Sequence, residues 1–205
     1  MINHEYKCIF VEVPKTGSTS IRSIIGSPEK PHLNIKEIKE KFFDEFDLDT
    51  TNTFMHFFKR KKVEFKWNQY FKFGFVRNPW DRVVSLYLRK EGIQMSKEIN
   101  FPEFVHWIQN SSDTSIHPSK HKNQLDWFLD DNQELEVDFI GKFENINKDW
   151  QFISNKLGIT NILPHENKNM IEKKHYTEYY TNELRDIIAD KFRVDIEYFD
   201  YKFGN

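Results

Sequence analysis

The run Lys15-Thr16-Gly17-Ser18-Thr19-Ser20 is built of residue types that hold an oxyanion. Lys15 supplies a point charge, and Ser18, Thr19 and Ser20 supply hydroxyl donors. Gly17 has no Cβ to keep a ligand away from the backbone. The apolar run Cys8 to Val13 before them reads as a buried strand, and Ile21, Ile24 and Ile25 after them share one face of a helix. A strand, a tight turn and a helix N-terminus aim unpaired N–H groups and the positive end of the helix dipole at whatever sits in the turn. The expected ligand is a phosphate or a sulfate. The spacing is not G-x-x-x-x-G-K-[ST]: the lysine precedes the glycine and no earlier glycine exists. Magnesium-dependent nucleotide hydrolysis is therefore disfavoured. In isolation, a turn whose Ser and Thr merely cap a helix would look similar.

A second segment has the same architecture. Phe71-Lys72-Phe73-Gly74-Phe75-Val76 reads as a strand, and Arg77-Asn78-Pro79-Trp80-Asp81-Arg82 turns it into a helix with Pro79 near the first helical position. Val83, Val84, Tyr87 and Leu88 then recur at helical spacing. Arg77 ends the strand and Ser85 lies two turns into the helix. A guanidinium and a hydroxyl so placed can hold a second phosphate. Ligands of open α/β sheets sit at the carboxyl ends of the strands, where both segments carry their polar residues.

Together the two segments resemble the sulfotransferases that use 3′-phosphoadenosine 5′-phosphosulfate (PAPS). Pro14 to Ser20 is similar to that family's 5′-phosphosulfate loop, and Phe75 to Ser85 to its 3′-phosphate motif, with Arg77 and Ser85 at the family's spacing. Val137-Asp138-Phe139-Ile140-Gly141-Lys142-Phe143-Glu144-Asn145 resembles its strand and R-F-E-N turn, with Lys142 in place of the usual arginine. Leu163 to Asn167 and Tyr176 to Tyr180 look like its late loop and the entry to its final helix. The resemblance spans roughly residues 5–203 and is nearest to the small branch related to carbohydrate sulfotransferases.

That resemblance implies a single α/β domain over residues 1–205 with a P-loop-like three-layer fold, a parallel sheet covered by helices on both faces. It implies PAPS as donor and 3′,5′-adenosine bisphosphate as product. Lys15, Thr16, Gly17, Ser18, Thr19 and Ser20 would hold the 5′ end, and Arg77 and Ser85 the 3′-phosphate. Lys15 would also stabilise charge at the bridging oxygen. The family's base is a histidine at the start of the helix between the two phosphate motifs, a place that His32 occupies. His56 is the rival, set among Phe54, Phe57 and Phe58, which suit a packing position. The implied acceptor is a hydroxyl, on a carbohydrate by analogy with the nearest branch. Lipids, small metabolites and tyrosines remain open. No metal is required, because the leaving group is already a stable phosphate, and no metal-ligand spacing is visible.

Composition fits a compact enzyme. A length of 205 residues suits one α/β domain. The net charge of −2 provides no field for nucleic acid or acidic membranes. The dense basic run Lys59-Arg60-Lys61-Lys62 reads as a solvated face. With 20 Phe the core is expected to be Phe-rich. Cys8 is the one cysteine and sits on a core strand as a small hydrophobe. The first apolar stretch is far shorter than the ~20 residues a membrane span needs. The chain begins almost directly with a strand, so a cytoplasmic location is expected.

The remaining elements follow from pattern. A helix opens at Leu33 or Asn34 and runs through Phe42 and Phe43, and residues 44–66 look like an insertion. Another helix is expected after Asn100, carrying Phe104, Val105, Trp107 and Ile108. Residues 110–123 are polar and expected to form a mobile loop. Ile146, Trp150, Ile153 and Leu157 share a helix face that Gly158 caps. Thr181 caps the last helix, with Leu184, Ile187, Ile188 and Phe192 facing inward. Lys168, Lys173, Lys174 and His175 either close over a nucleotide or form a solvated basic loop. Gln124, Asp126 and Trp127 are candidates for an acceptor cleft, although Trp127 and Phe128 equally suit a core. Two other functions compete: a P-loop-like nucleotide kinase, and a non-catalytic nucleotide-binding protein.

Overall fold

The computed structural model describes residues 1–29, 31–46, 53–88, 98–110, 123–164 and 174–205, with backbone alone at 53–56. Its centre is a four-stranded sheet in the order β1 (Ile2–Asn3), β2 (Cys8–Val11), β3 (Phe71–Val76), β4 (Phe139–Lys142). β2, β3 and β4 are parallel, in the registers Val11↔Gly74 and Val76↔Lys142. All three therefore end on one side of the molecule. The two-residue β1 pairs antiparallel with β2, so the sheet is mostly rather than wholly parallel. Two residues carry no readable alternation, and only the open edge of β2 recruits them.

The eight α-helices among the described residues lie on both faces of the sheet. Alternation along β2 sets the two faces. Cys8 and Phe10 pack with Phe73, Phe75, Ile21 and Ile25 of α1 (Ser18–Ile25), and Trp150 and Ile153 of α6 (Ile146–Leu157). Ile9 and Val11 face the larger cluster, built from α2 (Ile35–Asp44), α3 (Thr53–Trp67), α4 (Pro79–Tyr87), α5 (Phe101–Asn110) and α7 (Asn182–Lys191). The expected Phe-rich core is present: Phe10, Phe42, Phe73, Phe75, Phe104 and Phe128 are each fully buried.

Local chemistry explains the boundaries. Asn34 caps α2 through a capping box, its Oδ1 accepting from the Glu37 N–H (2.9 Å) while the Glu37 carboxylate accepts from the Asn34 N–H (3.0 Å). Pro79 takes the first turn of α4, where a missing N–H costs nothing. Gly158 closes α6 in the left-handed conformation. α7 starts from Thr181 as expected but is not the last helix. A kink at Phe192 leads into α8 (Arg193–Tyr198), which buries Asp195.

The described part of 44–66 is largely α3, which packs on α2 through Val63 and Trp67 and turns directly into β3. Phe57 and Phe58 are more than half exposed, so they do not form the apolar packing position weighed for His56. The His56 side chain lies outside the described residues, as does the polar stretch 111–122.

Gly74 is where the larger cluster meets the sheet. A Cβ there would lie 2.4 Å from the Phe128 ring and 2.9 Å from the Val11 carbonyl. Gly74→Ala is expected to cost about 1–3 kcal/mol by overpacking and to lower the melting temperature by roughly 2–12 °C. An unchanged thermal transition would show that the Phe128 contact is not a tight one.

Candidate active site

β2 ends at Val11, two residues earlier than its pattern suggested, because the chain turns there with Val13 N–H donating to the Val11 carbonyl (3.2 Å). The following loop is held in a conformation few sequences adopt. Lys15 has φ 71° and Gly17 φ 87°, both left-handed. Gly17 is required twice, since a Cβ would also lie 2.7 Å from the Ile146 side chain and 3.2 Å from the Phe143 ring. The Thr16 side chain is fully buried and its hydroxyl donates to the Val13 carbonyl (2.8 Å). The hydrogen of that hydroxyl is committed to the loop, so Thr16 can meet an anion through its backbone N–H. Ser18 and Ser20 are nearly buried in the first turn of α1, and Thr19 is exposed. That first turn holds no acidic residue to compete for an anion.

Arg77 is the first residue past β3 and is only 8% exposed. Its Nη1 donates to the Lys15 carbonyl (3.1 Å), which joins the two sequence motifs directly. Nε and Nη2 both reach Asp81 Oδ2 (2.8 and 2.7 Å). The Phe143 ring lies 4.2 Å from the centre of the guanidinium. These bonds use three of a guanidinium's five N–H donors. Ser85 is buried one turn beyond Asp81 on α4.

Arg82, quoted in the motif but given no role by sequence reasoning, is the second buried guanidinium. Its Nε donates to the Pro14 carbonyl (3.1 Å), a second tie between α4 and the first loop. Burial first, and then the neighbouring Arg77, pull its pKa down to about 10, against the opposing charge of Asp195. It is a cation at neutral pH. Asp195 itself is pushed above the usual carboxylate range by burial, even though it accepts three N–H bonds. No pattern in the C-terminal sequence singled it out.

The K-F-E-N turn closes the site from behind. Phe143 touches both Gly17 and Arg77. Glu144 accepts from the Asn78 N–H (2.6 Å), and the Asn78 amide donates to the Lys202 carbonyl (3.0 Å). Lys142, which stands where the resembling family has arginine, donates to the Phe199 carbonyl (2.5 Å) and lies over the Tyr201 ring. It anchors the C-terminal segment.

His32 sits in the loop before α2 with φ 60°, its Nδ1 3.1 Å from the Glu12 carbonyl. A carbonyl only accepts, so Nδ1 carries the proton there and Nε2 is the basic nitrogen. The loop thus receives His32 at its first residue, Arg82 at Pro14 and Arg77 at Lys15. The Glu12 side chain is buried beside Arg22 (3.7 Å), and burial raises its pKa.

Other candidates go elsewhere. Gln124 is fully buried and braces Arg77 from inside, so it does not line a cleft, and Trp127 and Phe128 are core. Asp126 accepts from the Asn123 N–H and closes a turn (2.9 Å). His175 and Lys174 are exposed, and His175 caps the 3-10 turn Tyr176–Tyr179. Lys168 and Lys173 lie outside the described residues. No described helix is long and apolar enough to cross a membrane.

The chain is 32% identical over 92 residues to an uncharacterized protein of Archaeoglobus fulgidus, covering 44% of this chain and 69% of that one. It is 19% identical to carbohydrate sulfotransferase 10 of Xenopus laevis over 98% of this chain and 66% of that protein. It is 18% identical to carbohydrate sulfotransferase 11 of Rattus norvegicus over 100% and 67%. The chain thus spans at most about two thirds of the carbohydrate sulfotransferases it matches here. No solved structure matches it significantly. The model of the sulfotransferase family matches residues 1–202, from the first strand through the tail that packs behind Asn78, and the chain belongs to that family.

Proposed function

We propose that this protein transfers a sulfuryl group from PAPS to a hydroxyl of a carbohydrate acceptor, on a fold of the P-loop-like type. The observation that supports the reading is the Arg77–Lys15 hydrogen bond, which joins the two segments whose residue types suit anions, beside the carboxyl ends of β2 and β3. The pocket suits a ligand with two separated phosphate-type groups. Lys15, the N–H groups of residues 15–20 and the hydroxyls of Ser18, Thr19 and Ser20 would hold the 5′ end. Arg77 and Ser85 would hold the 3′-phosphate. The carbohydrate acceptor is supported by the names of relatives matched over most of this chain.

When bound, the donor supplies an activated sulfuryl group whose departure leaves a phosphate anion. Lys15 neutralises charge that grows at the bridging oxygen, a contribution that is large where water is excluded. His32 Nε2 takes the acceptor hydroxyl's proton, and the Glu12 carbonyl stabilises the resulting imidazolium through Nδ1–H. Arg82 holds the Pro14 carbonyl and so keeps the first loop at the height of Arg77. Positioning is most of the catalytic task, as in phosphoryl transfer.

Calorimetric titration tests the donor site. The protein is expected to bind 3′,5′-adenosine bisphosphate without metal and in preference to ATP with magnesium. Arg77→Ala is expected to weaken that binding by about 10- to 100-fold, the loss of one or two charge-assisted hydrogen bonds. Tighter binding of magnesium ATP would instead favour a kinase. His32→Ala is expected to lower kcat by about 10²–10⁴-fold, a general base's usual contribution, with bisphosphate affinity within about twofold of wild type. Sulfuryl transfer from PAPS to a carbohydrate panel reads this out. Undiminished turnover would remove His32 as the base.

A further inference from the structure

The peptide of Arg77 has a distinctive environment. β4 ends at Lys142, opposite Val76, so the sheet provides no partner for the next residue along β3. The Gln124 side chain takes that place. Its Oε1 accepts from the Arg77 N–H (2.9 Å) and its Nε2 donates to the Arg77 carbonyl (2.8 Å). A primary amide donates and accepts in one plane as a peptide group does, so it can imitate a neighbouring strand. Gln124 is in turn held by Asp195. That carboxylate accepts from Gln124 N–H (2.8 Å), Gln124 Nε2 (3.3 Å) and Leu125 N–H (3.0 Å). Both residues are 0% exposed. Asp195 also lies close enough to Arg82 to offset its buried charge, and Arg82 holds Pro14 of the other loop.

We propose that Gln124 and Asp195 are positioning residues of the nucleotide pocket, which set the height of Arg77 and thereby create the preference for a 3′-phosphate; this rests on the donor-site reading given above. The guanidinium itself is steered by Asp81 and the Lys15 carbonyl, but both contacts assume that the Arg77 backbone is in place. Without the amide clamp the strand end loses two buried bonds and the guanidinium loses its alignment. The first loop keeps its own Thr16 and Arg82 contacts, so the 5′ side of the pocket survives. A residue that only supported the fold would weaken both sides together.

The test is calorimetric titration of the full chain with 3′,5′-adenosine bisphosphate and with 5′-AMP, the ratio of the two affinities being the readout. Gln124→Met keeps the side-chain length and removes both hydrogen bonds. It is expected to cut the bisphosphate-over-AMP ratio by about tenfold or more, with 5′-AMP affinity within about twofold of wild type. Asp195→Asn turns one donor towards the N–H groups it should accept from, and is expected to reduce the ratio in the same direction by a smaller factor. A folded Gln124→Met protein with an unchanged ratio, or with both nucleotides weakened equally, overturns the proposal. If Gln124→Met lacks a cooperative melting transition, the Asp195→Asn ratio decides by the same criteria. Wild-type protein that shows no preference for the 3′-phosphate sinks the donor reading itself, whereas a wild-type preference retained in both variants sinks the clamp alone.

Discussion

The register of the parallel strands is the constraint on which the site depends. Val11 lies opposite Gly74, so β3 runs two residues further than β2 and delivers Arg77 beside the turn that carries Lys15. A shift of one residue would send Arg77 to the other face of the sheet, because side chains alternate. Register is pinned from both sides. Phe10 stacks on Phe73 on one face (centroids 5.1 Å apart), and Phe128 fills the space above Gly74 on the other. The packing that holds the core together therefore also sets how the two loops lie against each other.

Concentrating cations there has a cost that the structure offsets with carbonyls and carboxylates. Arg77 and Arg82 are both almost wholly buried, and the charge of Arg77 adds to the burial that lowers the pKa of Arg82. Taken from water without partners, each would be prohibitive. Each therefore donates to a backbone carbonyl of the first loop. Asp81 neutralises Arg77 directly, and Asp195 opposes Arg82 at longer range. Dipoles and charges arranged in advance in this way would need little reorganisation to meet an anion, which is the physical basis of electrostatic preorganisation.

The same elements tie distant parts of the chain to the second loop. Asn78 links the second loop to Glu144, Tyr176 and the Lys202 carbonyl, and the Trp80 indole donates to the Arg185 carbonyl (2.9 Å). The C-terminal third acts as a brace behind the two loops. Lys142 is part of that brace through the Phe199 carbonyl, which gives the substitution of lysine for arginine a structural role in this chain.

Local order near the site was legible in the sequence. Phe71–Val76, the Pro79 start of α4, the opening of α2 near Asn34 and the Gly158 cap all come from short-range rules, because a strand's alternation or a helix's end is decided by neighbouring residues. The residue types of the two anion segments were legible for the same reason. The antiparallel edge β1, the helix after Phe192, and the roles of Arg82, Gln124 and Asp195 were not. Each depends on which groups a buried carbonyl, amide or charge meets across the fold. Gln124 reads in sequence as a candidate for an acceptor cleft, and becomes the continuation of a sheet only because β4 stops one residue short of Arg77. The amino-acid sequence determined which residue types stand in the two loops, and the tertiary structure decided that Arg77 and Arg82 tie those loops together. Parallel pairing and burial act between residues that no local pattern connects.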